Sequence, residues 1–154
     1  MFREIRVENK KLDNEEMLEV LDKAEYGVLS TIGEDGYPYG VPVNFVYEDR
    51  KIYFHGAVEG HKADNLGYSD KASFCAIVDV ELLPDEFNTK YRSVIAFGKI
   101  KEVAGEEKKK VFMMILEKFS NEFLESGKKY VMAAGHEARV YCMDVEHMTA
   151  KGKK

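Results

Sequence analysis

At 154 residues, the chain is long enough for one compact core and too short for two ordinary domains, so residues 1–154 read as a single domain. With 45% hydrophobic and 33% charged residues it has a globular composition, and no run of about 18 apolar residues offers a membrane span. A formal net charge of −5 argues against nucleic acid as a partner, because a basic face supplies most of that affinity through counterion release.

Met1–Lys11 is charged throughout and lacks the apolar centre of a secretion signal, which points to the cytoplasm. Asp13 and Glu16 have capping-box spacing, and Leu12 with Met17 forms a hydrophobic staple, so a helix starts at Asp13. Met17, Leu18, Leu21 and Ala24 make its core face. Gly27–Ile32 reads as a strand, Gly33–Gly36 as a turn, Val41–Tyr47 as a second strand, and Ile52–His55 as a third after a turn at Glu48–Lys51. These three predict a meander. Ala63–Leu66 reads as a short helix ending near Gly67, Ala72–Val80 as a strand and Leu82–Lys90 as a loop. Tyr91–Val103 is a long strand in which Gly98 marks a bulge or a close approach of another backbone or ligand.

A helix follows from about Glu106, with Phe112, Ile115, Leu116, Phe119 and Phe123 on one stripe and a break at Gly127. Ala138–Val145 is the last strand, and Lys151, Lys153 and Lys154 form a solvated, frayed tail. Cys75 and Cys142, far apart and inside apolar runs, read as reduced buried thiols. The class is therefore mainly β (α+β), with a six-stranded antiparallel β-barrel flanked by two or three peripheral helices.

The segment YFHGAVEGHK (Tyr53–Lys62) runs a strand into a glycine-punctuated turn that ends in a lysine. Gly56 and Gly60 permit close backbone approach or positive φ, and Lys62 adds a charge at the start of the following helix. A phosphate suits that arrangement. It is not an ATP-binding P-loop, since three residues separate the glycines and Ala63 stands where a hydroxyl would hold magnesium. His55, His61, His136 and His147 show no zinc-site spacing, so no metal site is expected. No serine occupies a nucleophile elbow either.

Taken together, GYPYGVPVNFVY (Gly36–Tyr47), YFHGAVEGHK and YRSVIAFG (Tyr91–Gly98) resemble the FMN-binding split barrels related to pyridoxamine 5′-phosphate oxidase, and most closely their nitroimidazole-resistance branch. The resemblance implies a homodimer of split β-barrels with FMN at the subunit interface. It implies that Pro42, Val43 and Asn44 run beside the isoalloxazine, with Val43 equally suited to the barrel core. Phe54, His55, Gly56, His61 and Lys62 would supply phosphate and ring contacts, and Ser93 would lie beside the cofactor or the dimer seam. Lys62 pairs with the phosphate; His61 is either a second donor to it or simply exposed. His55 is the candidate catalytic residue, donating a proton or stabilising charge on reduced flavin, against a structural role at a strand end.

One departure bears on function. Pyridoxamine phosphate oxidases end in an arginine- and histidine-bearing segment that grips substrate, whereas this chain finishes HMTAKGKK after its last expected strand, which argues against vitamin B6 oxidation. The expected function is an FMN-dependent oxidoreductase acting on a small molecule, with nitroaromatic reduction as the branch's associated activity. The alternatives are a non-catalytic module that stores or senses flavin, and a haem binder in which His55 or another histidine ligates iron.

Overall fold

The computed structural model describes residues 1–153. The expected capping box is present: the Asp13 side chain accepts from the Glu16 amide (2.8 Å) while the Glu16 carboxylate accepts from the Asp13 amide (3.1 Å). It opens α1 (Asn14–Lys23), which buries Val20 and Leu21. Leu18 is exposed instead, because at 100° per residue it lies well round the helix from the Met17–Leu21–Ala24 stripe.

The remaining elements are β1 (Tyr26–Ile32), β2 (Pro38–Asn44), β3 (Val46–Glu48), β4 (Lys51–Ala57), α2 (His61–Tyr68), β5 (Lys71–Leu83), β6 (Asn88–Val103), α3 (Gly105–Phe119), α4 (Leu124–Ala134) and β7 (Ala138–Lys153). All seven strands belong to one antiparallel sheet in the order β2-β1-β5-β6-β7-β4-β3. The six-stranded barrel is corrected on two counts. The expected second strand breaks at Phe45, so β2 pairs with β1 at one edge of the sheet and β3 with β4 at the other. The three-strand meander thus becomes two hairpins at opposite edges. Secondly, the ladder is not closed: the sheet curls until its edges return to the same bend, and β2 approaches β4 without strand pairing. Phe45 holds that bend, its ring fully buried edge-on to Phe74 at 4.7 Å and its carbonyl accepting from Lys118 Nζ at 3.1 Å.

Several boundaries also move. The expected Leu82–Lys90 loop is mostly hairpin, turning at Pro84–Glu86 with Phe87 at φ 52° and a bulge between Val78 and Glu81. The last strand continues to Lys153, because Ala150 and Gly152 alternate inward; Lys151 and Lys153 pair with Ser93 and Tyr91 and are not a frayed tail, while Lys154 lies outside the described residues. Gly98 meets its expectation. The register against β7 shifts there, and a Cβ would lie 2.2 Å from the Asp144 carbonyl oxygen. Gly127 does not break a helix; it sits inside α4, where its missing side chain admits Leu116, bringing the α-helices among the described residues to four.

Two cores flank β4. Leu29, Phe45, Phe54, Phe74 and Val94 fill the inside of the curled sheet, whereas Tyr53, Val111, Val140 and Cys142 pack beneath α3. Alternation along β4 therefore sends Phe54 and Gly56 one way and Tyr53 and His55 the other. Cys142 is buried as expected, which pushes its thiol up to about 11, whereas Cys75 is only half-buried on the outer face of the sheet, where desolvation raises its pKa too; both are free thiols.

Candidate functional site

The site is built where β4 turns into α2, beside the open seam. Gly60 caps α2 at φ 135°, a conformation that side chains resist, and its carbonyl accepts from the Asp64 amide at 3.0 Å. α2 is pinned below by Asn65, buried and donating to Thr31 Oγ1 at 3.1 Å. Gly33 makes room for it, since a Cβ there would lie 2.3 Å from Asn65 Oδ1.

This placement lays the Lys62 stem over Gly56. A Cβ at position 56 would sit 2.8 Å from Nζ and 2.9 Å from Cε, so glycine is what lets the lysine lie down. Its Nζ is 5.7 Å from the centre of the Phe54 ring, and Phe54 stacks on Tyr141 at 5.3 Å. Among the described residues no carboxylate or carbonyl partners this ammonium, and its half-burial lowers its pKa. Across the seam, His61 stacks on Tyr39 of β2 with ring centres 3.9 Å apart. The result is a half-buried cation without an ionic partner among the described residues, near the stacked Tyr39–His61 pair, where an anion could be held.

His55 is not on that side. It opposes Val140 on β7 and lines a cavity of about 310 Å³ with Phe112, Leu116, Tyr130, Val131 and Glu137. Desolvation by this wall, and secondarily the Lys62 charge, lower its pKa, which favours the neutral imidazole. The expected single pocket of residues 54–62 is therefore divided by the backbone of β4, with Lys62 on one face and His55 on the other.

The other predicted residues spread out. Val43 is buried in the inner core, so its side chain has no free face. Pro42 is exposed, and Asn44 commits its amide to the Glu25 carbonyl at 2.8 Å. All three nevertheless lie on an edge strand, whose outward backbone groups lack a strand partner. Ser93 is buried between Ile77 and Lys151, its Oγ donating to the Lys151 carbonyl at 3.4 Å, on the outer face of the sheet and apart from Lys62. Sequence reasoning missed Tyr39 and Tyr141. Tyr39 stood within the quoted GYPYG stretch, and Tyr141 within an apolar strand where an inward tyrosine was the only signal.

The fold is thus a curled, open antiparallel sheet with a half-buried cation at its seam. The family model described as pyridoxamine 5′-phosphate oxidase matches residues 13–152, and the chain belongs to that family. No curated protein sequence is significantly similar to it. Solved structures share the fold. A Bacteroides thetaiotaomicron protein proposed to act in 5-nitroimidazole antibiotic resistance is 23% identical, with a TM-score of 0.76 over 91% of this chain and 84% of that one. A FAD-binding protein from Mesorhizobium loti is 17% identical (TM-score 0.65, 94% and 98% covered). The haem storage protein HutZ from Vibrio cholerae is also 17% identical (TM-score 0.69, 90% and 94% covered).

Proposed function

We propose that the protein binds FMN at the seam, with the flavin phosphate on Lys62, and acts as an FMN-dependent oxidoreductase on a small molecule. One observation carries the reading: Lys62 is half-buried over Gly56 with no anion of its own among the described residues. The residues present fit the group. Lys62 and the amides that open α2 would hold the phosphate, His61 and Tyr39 would border the ring, and the edge backbone of Pro42, Val43 and Asn44 would meet its polar rim, while Phe54, fully buried beneath Lys62, has no free face for it. Bound FMN would supply hydride and electron transfer, which no side chain of this chain provides.

His55 faces the other side of β4 from Lys62, so it would not touch a substrate stacked on a flavin held at Lys62. The acceptor would be a single-ring compound such as a nitroaromatic, stacked on the flavin on the Lys62 side of β4, because hydride transfer needs the two in contact. Dimerisation has its own support. Val28, Cys75 and Ile95 stand abreast on the outer face of the sheet, with Ile77 and Phe97 exposed nearby, an apolar surface that a second copy would cover around Ser93.

Titration with FMN, followed by flavin fluorescence, tests the site. Lys62→Ala should raise the dissociation constant about tenfold or more, since a charge-assisted phosphate contact is worth about 1.5–3 kcal/mol. Unchanged affinity removes Lys62 from the site, and a Soret band in place of flavin absorbance favours haem. Light scattering of the holoprotein should give twice the chain mass; a monomer that binds FMN stoichiometrically rules out a shared site.

A further inference from the structure

α3 and α4 lie antiparallel, Leu116 against Gly127 and Phe112 against Gly135. Their outer side is open. A groove of about 590 Å³ runs between the first half of α3 and the second half of α4, floored by Phe112, Met113, Val131 and Met132. Met132 is 86% exposed, and α4 fully buries none of its residues. Lys108, Lys109, Lys128 and His136 line the rim, and the carboxylates near them lie outside the groove, among them Glu137 at 3.9 Å from His136. Lys109 and Lys128 are each braced by a carboxylate one turn earlier on their own helix, Glu106 at 3.2 Å and Glu125 at 3.3 Å. Lys108 has no such brace among the described residues; its ammonium lies 5.9 Å from the centre of the Phe112 ring, at the lip of the floor.

We propose that this groove binds a monomeric medium-chain aliphatic carboxylate, its chain on the Phe112–Met132 floor and its head group on Lys108. Charge complementarity selects the anion, and the floor selects the chain, because methionines adapt to a flexible alkyl group better than to a rigid plane. Length follows from α4. Lys128 to Gly135 covers seven rises of 1.5 Å, about 10 Å, which fits a chain of about eight to ten carbons. The groove lies on the opposite side of Phe112 and Val131 from the His55 cavity, itself across β4 from Lys62, so its occupant is not the substrate considered above.

Calorimetric titration of the holoprotein with decanoate, below its micelle concentration, decides the matter. Saturable binding of one decanoate per chain is expected, with affinity rising about threefold per methylene from hexanoate to decanoate. Met132→Glu and Lys108→Glu each place a carboxylate at the exposed groove; each should weaken decanoate about tenfold while leaving FMN affinity and the melting temperature unchanged. Absence of saturable binding overturns the proposal. So do equal binding of decyltrimethylammonium, wild-type affinity in both variants, or flotation of the protein with phosphatidylglycerol vesicles free of fatty acid, which would mark a lipid surface as the ligand.

Discussion

Two lysines, Lys62 and Lys118, are half-buried, lie over a phenylalanine ring and have pKa values lowered by burial, yet their surroundings are opposite. Lys118 Nζ donates to the carbonyls of Leu21 (3.3 Å) and Phe45 (3.1 Å) and sits 4.1 Å from the Phe45 ring centre. It ties the end of α1, the β2–β3 bend and α3 together. Among the described residues Lys62 has only the Phe54 ring. A desolvated cation with its acceptors in place belongs to the fold, whereas one without them keeps its donors open to water or to an anion from outside.

Removing Lys118 should therefore produce the largest stability effect. Lys118→Met leaves two carbonyls without their donor and forfeits the ring contact, which together should lower stability by about 2–4 kcal/mol in urea unfolding. FMN affinity should stay the same. Lys62→Met should do the reverse, leaving the apoprotein as stable as the wild type or slightly more so, because an unpaired buried charge is traded for an apolar chain. Its pH signature has a definite sign. With the folded pKa of Lys62 lowered, the folded state binds fewer protons than the unfolded state below pH 10.5, so apoprotein stability rises as pH climbs through that window. Lys62→Met should flatten the part of that rise which belongs to residue 62. If both lysine variants lose stability alike, the two sites are not different in kind.

How far this contrast could be read from the sequence depends on the range of the interactions. The α1 cap, the Gly33–Gly36 turn and the Gly56–Gly60–Lys62 spacing are local, and each is where it was expected. The break at Phe45 was not read, because Asn44 is the single turn-forming residue of Asn44-Phe45-Val46, with neither Gly nor Pro beside it, and the switch from β1 to β4 is set by Phe74 and Lys118, both distant in sequence. The end of β7 was legible and missed. Met148, Ala150 and Gly152 alternate, but their small size and the intervening lysines resemble a solvated tail, and Gly152 is required because a Cβ there would lie 2.4 Å from the Tyr91 carbonyl oxygen. Period-two alternation along β4 also separates His55 from Lys62, which nearness in sequence had joined.

A middle-sized effect sharpens the Lys62 side of the comparison. Gly56→Ala puts a methyl where Nζ and Cε now lie, but the far end of a lysine can swing away, so the fold should lose less than about 1 kcal/mol. The displaced ammonium should weaken FMN by about threefold to tenfold, less than Lys62→Ala does. Loss of folding with wild-type affinity in the remaining folded fraction would show that Gly56 serves β4 and not the cation.

The smallest expected effect concerns the other face of β4. The folded pKa of His55 is lowered, first by desolvation against the α3–α4 wall and then by Lys62, so between that value and 6.5 the unfolded state binds more protons than the folded one. Stability should therefore fall as pH drops through 6.5, with the full loss in place once the folded pKa is passed. His55→Gln abolishes this contribution and leaves the other three histidines in place, so the difference between variant and wild type isolates one group. Urea unfolding of the apoproteins at pH 8 and pH 5 is the measurement. The change should be modest, because His55 keeps one side open to water. It should shrink further in His55-containing Lys62→Met, where the neighbouring charge is gone. If that double comparison shows no coupling, the two faces of β4 are electrostatically independent, and a proton held on His55 is set by the α3–α4 cavity alone.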